Sequence, residues 1–332
     1  MPIARANSRQ DLPAWASPYV PLFPGGDAQT ICGRYWPGRL DEGRWPTEAK
    51  LFETVDGVRV LAKINRGGGR GTVVIVHGLT ACSEARYMLT LANSALEFGF
   101  DTIRLNVRTC GGTEHLSPTL YHSGLTEDLR SVVAQLAPQP VFLAGFSMGG
   151  NMVLKLAGEW GDDAPRHVLG VGAISAAIRL GDCSRRIGEP RNWVYEYRFL
   201  RQLRAAVLKK QSLDPSFWPD LDLDGADSVY AFDDLVTARM FGFESAEDYY
   251  EQSSAANYLE HIRVPCLLIQ ADDDPFIPLP TYRQPSFREN PAIQLMSART
   301  GGHVAFLARG VQRFWAEAQL VRFFDSLTGD RA

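Results

Sequence analysis

From residue 51 onward, apolar positions fall into two alternating rhythms. Residues 51–54 and 58–64, joined by Val55-Asp56-Gly57, predict an antiparallel hairpin closed by an Asp-Gly turn. After the joint Gly67-Gly68-Gly69, residues 72–76 form an unbroken β-branched run, the pattern of a strand buried on both faces of a sheet. Beyond the loop His77-Gly78-Leu79-Thr80, residues 84–98 place Tyr87, Leu91 and Leu96 at helical spacing. The same succession then recurs as strand 100–107, helix 124–137, strand 141–146, helix 149–160 and strand 168–175. Such alternation predicts an open, mostly parallel central sheet flanked by helices.

The rhythm fails in two places. Residues 1–50 are rich in proline, glycine and tryptophan and show little periodicity, which predicts an extension that packs on the core and buries its aromatic rings there. Residues 177–261 hold no strand-like run and are helix-forming and aromatic, which predicts a lid over the C-terminal strand ends. Within it, residues 198–210 read as a basic amphipathic helix. A solvated face is favoured over contact with anionic lipid headgroups, since the acidic run Asp220-Leu221-Asp222-Leu223-Asp224 is close enough to pair with it. Strands 264–270 and 293–297 resume the alternation, and an amphipathic helix, 310–327, closes it. The expected organisation is therefore an extension at 1–50, a core at 51–176 and 262–332, and a lid at 177–261.

All of this turns on residues 141–151, where a strand, a tight turn and a helix follow directly on one another with Gly145-Phe146-Ser147-Met148-Gly149 in the turn. A serine pushed out on such a strained turn crowds the residues two places either side, and glycine relieves the crowding. The pentapeptide alone is a weak signal in a chain with 30 glycines, but its strand–turn–helix setting is that of a nucleophile elbow rather than a helix cap. In an open parallel sheet, ligands meet the C-terminal strand ends. Two further reactive groups fall there: Asp272-Asp273-Asp274 behind strand 264–270 and His303 behind strand 293–297. Serine, acid, histidine is an order that supports a Ser-His-Asp triad, with His303 as the base that takes the Ser147 proton. Two of the three aspartates are expected in a solvated turn. The backbone N–H groups of Leu79 and Met148 are the expected oxyanion donors, and His77 is expected to be a structural hydrogen-bond partner.

Composition narrows the picture without redirecting it. With 332 residues, 45% hydrophobic, the chain can build one large core. A formal net charge of −4 offers no basic excess for nucleic-acid phosphates, so no nucleic-acid partner is expected. The five cysteines are odd in number, widely spaced and without a Cys-x-x-Cys pair, as reduced structural thiols would be. The loop Arg108-Thr109-Cys110-Gly111-Gly112-Thr113 fits no phosphate-loop spacing and opens no helix, so it reads as a turn at a sheet edge. No metal, nucleotide or flavin motif occurs, and no cofactor is expected. Residues 1–10 lack the apolar stretch of a signal peptide, and nowhere do about 18 apolar residues run together, so the expectation is a soluble cytoplasmic protein.

Taken together, His77-Gly78-Leu79-Thr80, Ser83-Glu84-Ala85-Arg86-Tyr87-Met88, Arg108 to Glu114, Tyr121 to Asp128 and Gly145 to Asn151 resemble the YheT-like branch of the α/β-hydrolases, which also takes in ABHD1/ABHD3-type proteins and yeast ester synthases. The likeness runs from about residue 51 to the last helix. One position departs from the family pattern: Thr109 stands where glycine is expected. Asp274-Pro275-Phe276-Ile277-Pro278 resembles the post-strand acid loop of these enzymes, so Asp274 is the implied triad acid and Asp273 the second choice. The resemblance implies an α/β-hydrolase fold and hydrolysis of carboxylic esters, acylglycerols or phospholipids among them, and the aromatic lid points to apolar acyl chains. Two alternatives stay open: the same triad serving as an acyltransferase or thioesterase, and a catalytically silent hydrolase fold used for binding. The sequence fixes neither the oligomeric state nor whether the protein touches a membrane surface.

Overall fold

The computed structural model describes residues 4–7, 12–55, 57–218, 221 and 223–329. Nine strands form one sheet: β1 (Ala4–Arg5), β2 (Glu48–Glu53), β3 (Arg59–Asn65), β4 (Thr72–Val76), β5 (Asp101–Leu105), β6 (Val141–Phe146), β7 (Val168–Ile174), β8 (Cys266–Ala271) and β9 (Ile293–Ala298). Their order across the sheet is β1-β9-β8-β7-β6-β4-β5-β3-β2. The hairpin β2–β3 is antiparallel, with Glu53 opposite Arg59, and β3 pairs antiparallel with β5; the pairings from β5 through β4 to β1 are parallel. Asp56, in the expected Asp-Gly turn, lies outside the described residues.

Helices α2 (Arg86–Glu97), α3 (Glu127–Ala134), α4 (Met148–Trp160) and α11 (Trp315–Ser326) cover the two faces of the sheet. The central strands β4 and β6 are buried at every position, which is why their sequences run apolar without alternation. One buried cluster packs Leu154 and Val153 of α4 with Val74, Leu143 and Leu268; the other packs Leu91 of α2 and Phe324 of α11 with Val73, Phe142 and Ile269. Burial of side chains this size stabilises by roughly 1.5–3 kcal/mol each.

Between β7 and β8 the described residues hold helices and loops and no strand. They form α5 (Leu180–Ile187), α6 (Trp193–Leu213), α7 (Val229–Phe232), a π-helical stretch Asp233–Ala238, α8 (Arg239–Phe241) and α9 (Ala246–Ser253). A short α10 (Ser286–Glu289) precedes β9. Leu203 and Val207 of α6 pack with Leu223, Ala226, Phe232 and Val236 in a core separate from that of the sheet. No helix among the described residues is long and apolar enough to cross a membrane.

Several expectations need correction. The first fifty residues are not without periodic structure: α1 (Gly26–Tyr35) lies among them, while Tyr19, Leu40 and Trp45 are buried in the main core. The loop 108–113 leaves β5, which sits inside the sheet between β4 and β3 rather than at its edge, and a 3-10 turn, Glu114–Leu116, follows it. The basic helix is longer than its charged stretch, and its cations are not all solvated. The Lys210 ammonium donates to the carbonyls of Glu114 and Ser117, at 3.1 and 2.6 Å, and Arg204 donates to Ala226 O at 3.1 Å. Asp220 and Asp222 of the acidic run, like residues 1–3 and 8–10 of the N-terminal stretch, lie outside the described residues. The last helix starts at Trp315, because Leu307 and Phe314 pair as an isolated bridge before it.

Candidate active site

Ser147 sits between β6 and α4 at φ 53°, ψ −116°, a conformation L-residues avoid at a cost of about 1–3 kcal/mol. The surroundings hold it there: its N–H donates to Ile174 O at 3.0 Å, and its carbonyl accepts from Asn151 and Ala177. The flanking glycines are a steric necessity. A Cβ on Gly145 would lie 2.2 Å from Gly149 O, and one on Gly149 would lie 2.3 Å from Val76 O.

His303 reaches this serine from the loop after β9. Its Nε2 lies 2.9 Å from Ser147 Oγ and its Nδ1 2.9 Å from Asp274 Oδ2. A carboxylate only accepts, so Nδ1 carries the proton and Nε2 is the acceptor for the serine hydroxyl. Asp274 is almost wholly buried, and its other oxygen accepts the N–H groups of Phe276 and Ile277 at 2.8 and 3.1 Å. Its neighbours do other work. Asp272 pairs with Arg5 at 2.8 Å. Asp273 is not a solvated turn residue: one oxygen accepts the N–H groups of Gly301 and Gly302, at 2.9 and 3.0 Å, and so shapes the turn that precedes His303.

Two residues of α1, unseen in the sequence, complete the support of the base. Thr30 Oγ1 accepts the His303 N–H at 2.8 Å, and the buried Gln29 amide takes both the N–H and the carbonyl of Leu307, at 2.9 and 3.1 Å. The loop they brace contains Val304 at φ 50° and Phe306 at φ 41°, so it would not hold its shape unaided.

The loop His77-Gly78-Leu79-Thr80 faces Ser147. The Gly78 N–H donates to Tyr87 Oη and the Thr80 N–H to Tyr121 Oη, each at 3.0 Å, which pins the loop on either side of Leu79. His77 accepts the Val107 N–H at Nε2, 3.2 Å away, and its Nδ1 donates to Gly78 O at 2.8 Å. Burial lowers its pKa to about 4, so it stays neutral. The other motif residues brace the same region. Arg108 forms a bidentate ion pair with Asp128 at 2.6 and 3.0 Å, and Asn151 ties α4 to Ser123 O and Ser253 O at 2.9 and 2.8 Å. Thr109, in place of the expected glycine, lies at φ 58°, where glycine is at ease; its hydroxyl donates to Arg108 O at 2.7 Å.

Two spaces meet at Ser147. An apolar cavity of about 90 Å³ runs under α5, α6 and α7 between Leu180, Phe199, Leu203, Val229, Phe232 and Met240. On the other side a groove of about 850 Å³ opens between α1 and α6. Ser147, Leu79, Phe199, Phe276 and His303 border both.

His122 lines the cavity wall; burial lowers its pKa to about 3, and Phe241 packs against its ring at 4.5 Å. Asp233 lines it too, accepting from Tyr250 Oη at 2.7 Å and Thr237 Oγ1 at 2.8 Å. Burial raises its pKa from 3.8 to about 6, so the folded state keeps a proton that the unfolded chain releases near pH 4. Folding is then favoured below that range, and the favour is lost as pH rises to about 6. Between pH 4 and 6 the wild type should lose up to about 3 kcal/mol of stability relative to Asp233→Asn, with no further divergence above. Denaturant unfolding of both proteins at stepped pH checks this; parallel profiles would contradict it.

Residues 71–309 match a family model described as the alpha/beta hydrolase fold. The Escherichia coli protein named putative esterase YheT is 31% identical over 256 residues, covering 75% of this chain and 74% of that one. Mouse phospholipase ABHD3 is 32% identical over 246 residues, covering 72% of this chain and 59% of its own length. Among solved structures, the Pyrococcus furiosus esterase Pf2001 superposes with a TM-score of 0.57 at 17% identity, over 88% of this chain and 99% of that one, a likeness of fold.

Proposed function

The chain belongs to the α/β-hydrolase family, in the branch that holds YheT and ABHD3, and from that premise we propose that it is a serine carboxylic-ester hydrolase acting through an acyl-enzyme on esters with apolar acyl chains. The observation that carries this reading is the chain of contacts Ser147 Oγ to His303 Nε2 to Asp274, at 2.9 Å each, standing where an apolar cavity meets an open groove. The acyl chain enters the cavity and the alcohol portion lies in the groove. As Ser147 attacks the carbonyl carbon, His303 takes its proton; the resulting imidazolium is stabilised by Asp274. The Leu79 and Met148 N–H groups receive the oxyanion, worth roughly 3 kcal/mol per donor. His303 then gives its proton to the departing alkoxide. Water, activated by the same imidazole, attacks the acyl-enzyme and releases the acid.

A series of p-nitrophenyl esters tests the proposal. The kcat/KM is expected to rise from two-carbon to eight-carbon acyl chains by about tenfold or more, since each buried CH₂ contributes about 0.8 kcal/mol. A flat profile would remove the acyl role of the cavity. A folded protein that neither turns over any ester nor forms an adduct with a fluorophosphonate would overturn the esterase reading.

A further inference from the structure

The groove mouth is built inside out. Helix α1 turns Gly26, Gln29 and Gly33 toward the protein and leaves Ile31 and Tyr35 in solvent, 50% and 78% exposed. Across the groove, α6 does the same with Trp193, Val194 and Tyr197, which are 65%, 54% and 63% exposed. A folded chain gains nothing by holding a tryptophan and two tyrosines in water around one opening, and clustered exposed apolar groups mark an interaction site. Cations are interleaved with them. Arg34 on α1 and Arg198 and Arg201 on α6 make no salt bridge among the described residues, and Arg34 and Arg198 both line the groove. The two carboxylates that line the same groove, Asp27 and Glu84, are paired with Arg191 and Arg104, so the Arg34 and Arg198 guanidinium groups repel each other there, and an anion between them removes the repulsion.

From this we infer that the face formed by α1 and the first half of α6 docks onto a lipid bilayer bearing anionic headgroups, with the groove mouth pressed against the interface. Aromatic rings with a polar edge settle at the headgroup level, and arginines beside them meet the phosphates. The net charge of −4 gives no attraction at long range, so the patch itself must supply the contact. Docked this way, a lipid leaves the bilayer along the groove and reaches Ser147 without crossing water. This step rests on the esterase reading, but the docking itself does not.

Co-sedimentation with phosphatidylcholine vesicles, with and without phosphatidylglycerol, tests the inference on the whole chain. Wild type should bind the mixed vesicles and bind pure phosphatidylcholine more weakly. Trp193→Ala/Tyr197→Ala should weaken binding to both, and Arg34→Ala/Arg198→Ala should weaken binding to the anionic vesicles alone by about tenfold, as added salt also does. Neither Trp193 nor Tyr197 lines the cavity or the groove, so hydrolysis of a water-soluble p-nitrophenyl ester by that double variant should match wild type. This assay shows the variant to be folded and reports on the esterase reading separately. Absence of vesicle binding by active wild type, or binding as strong as wild type by both double variants, would overturn the inference. Self-association of wild type that disappears in Trp193→Ala/Tyr197→Ala would overturn it too, assigning the face to a second copy of the chain.

Discussion

Ser147→Ala should lower kcat for ester hydrolysis by about 10⁵- to 10⁶-fold and abolish fluorophosphonate labelling, while leaving the fold intact. The size of the effect follows from what remains. On the proposed mechanism, the Leu79 and Met148 N–H groups and the binding spaces can still orient an ester, but nothing forms the covalent bond, and His303 alone must activate water at a carbonyl placed for another nucleophile. Stability should not change much, because alanine keeps the Cβ and the φ of 53°. Ser147→Gly, equally inactive, should be more stable than Ser147→Ala by about 1 kcal/mol, since glycine adopts that φ without strain. Single-turnover kinetics and denaturant unfolding of the two variants check both halves. Residual turnover within a hundredfold of wild type would move the nucleophile elsewhere.

Asp274→Asn should cost about 10⁴-fold in kcat with little change in KM. The amide has the shape of the carboxylate but can donate to Nδ1, which pushes the proton to Nε2 and leaves no acceptor for the serine hydroxyl. The Phe276 and Ile277 N–H groups still find an oxygen, so the loop should persist. Asp273→Ala is the informative companion. Its carboxylate serves backbone N–H groups of Gly301 and Gly302 rather than the imidazole, so its loss should appear mainly as about 1–3 kcal/mol of stability, with a far smaller drop in kcat. Reversal of this pattern would make Asp273 the acid.

The two aspartates also show where sequence reasoning stops. The strained turn at Ser147 was legible because its requirements are local: a buried strand, a helix and two glycines that no Cβ can replace. The parallel sheet was legible for the same reason, since β4 and β6 are apolar at every position. Choosing among Asp272, Asp273 and Asp274 depends on which way each side chain leaves a turn, and consecutive residues of one type carry no signal for that; the choice of Asp274 came from a family likeness. Helix α1 was missed because its buried positions are two glycines and a glutamine while its apolar ones face solvent, so the periodicity that reveals helices runs backwards. Charge alone could have found it: Asp27 in the first turn and Arg34 in the last complement a helix dipole. Tyr87 and Tyr121 lay inside the motifs that carried the family likeness, yet their service to the Leu79 loop needs contacts across distant segments.

The brace that α1 gives the His303 loop sets a condition on any shortened form of this protein. The stretch recognised by the family model begins at residue 71, and a fragment cut there would keep the serine, the acid and the histidine. It would also lose Gln29 and Thr30, contacts 273 to 278 positions away along the chain from the loop they hold. Such closures form late, because closing so long a loop costs entropy before the contact is gained. Recovery of esterase activity on refolding should then trail pairing of the central strands β4 to β8, and the working unit of this enzyme is longer than the unit by which its family is recognised.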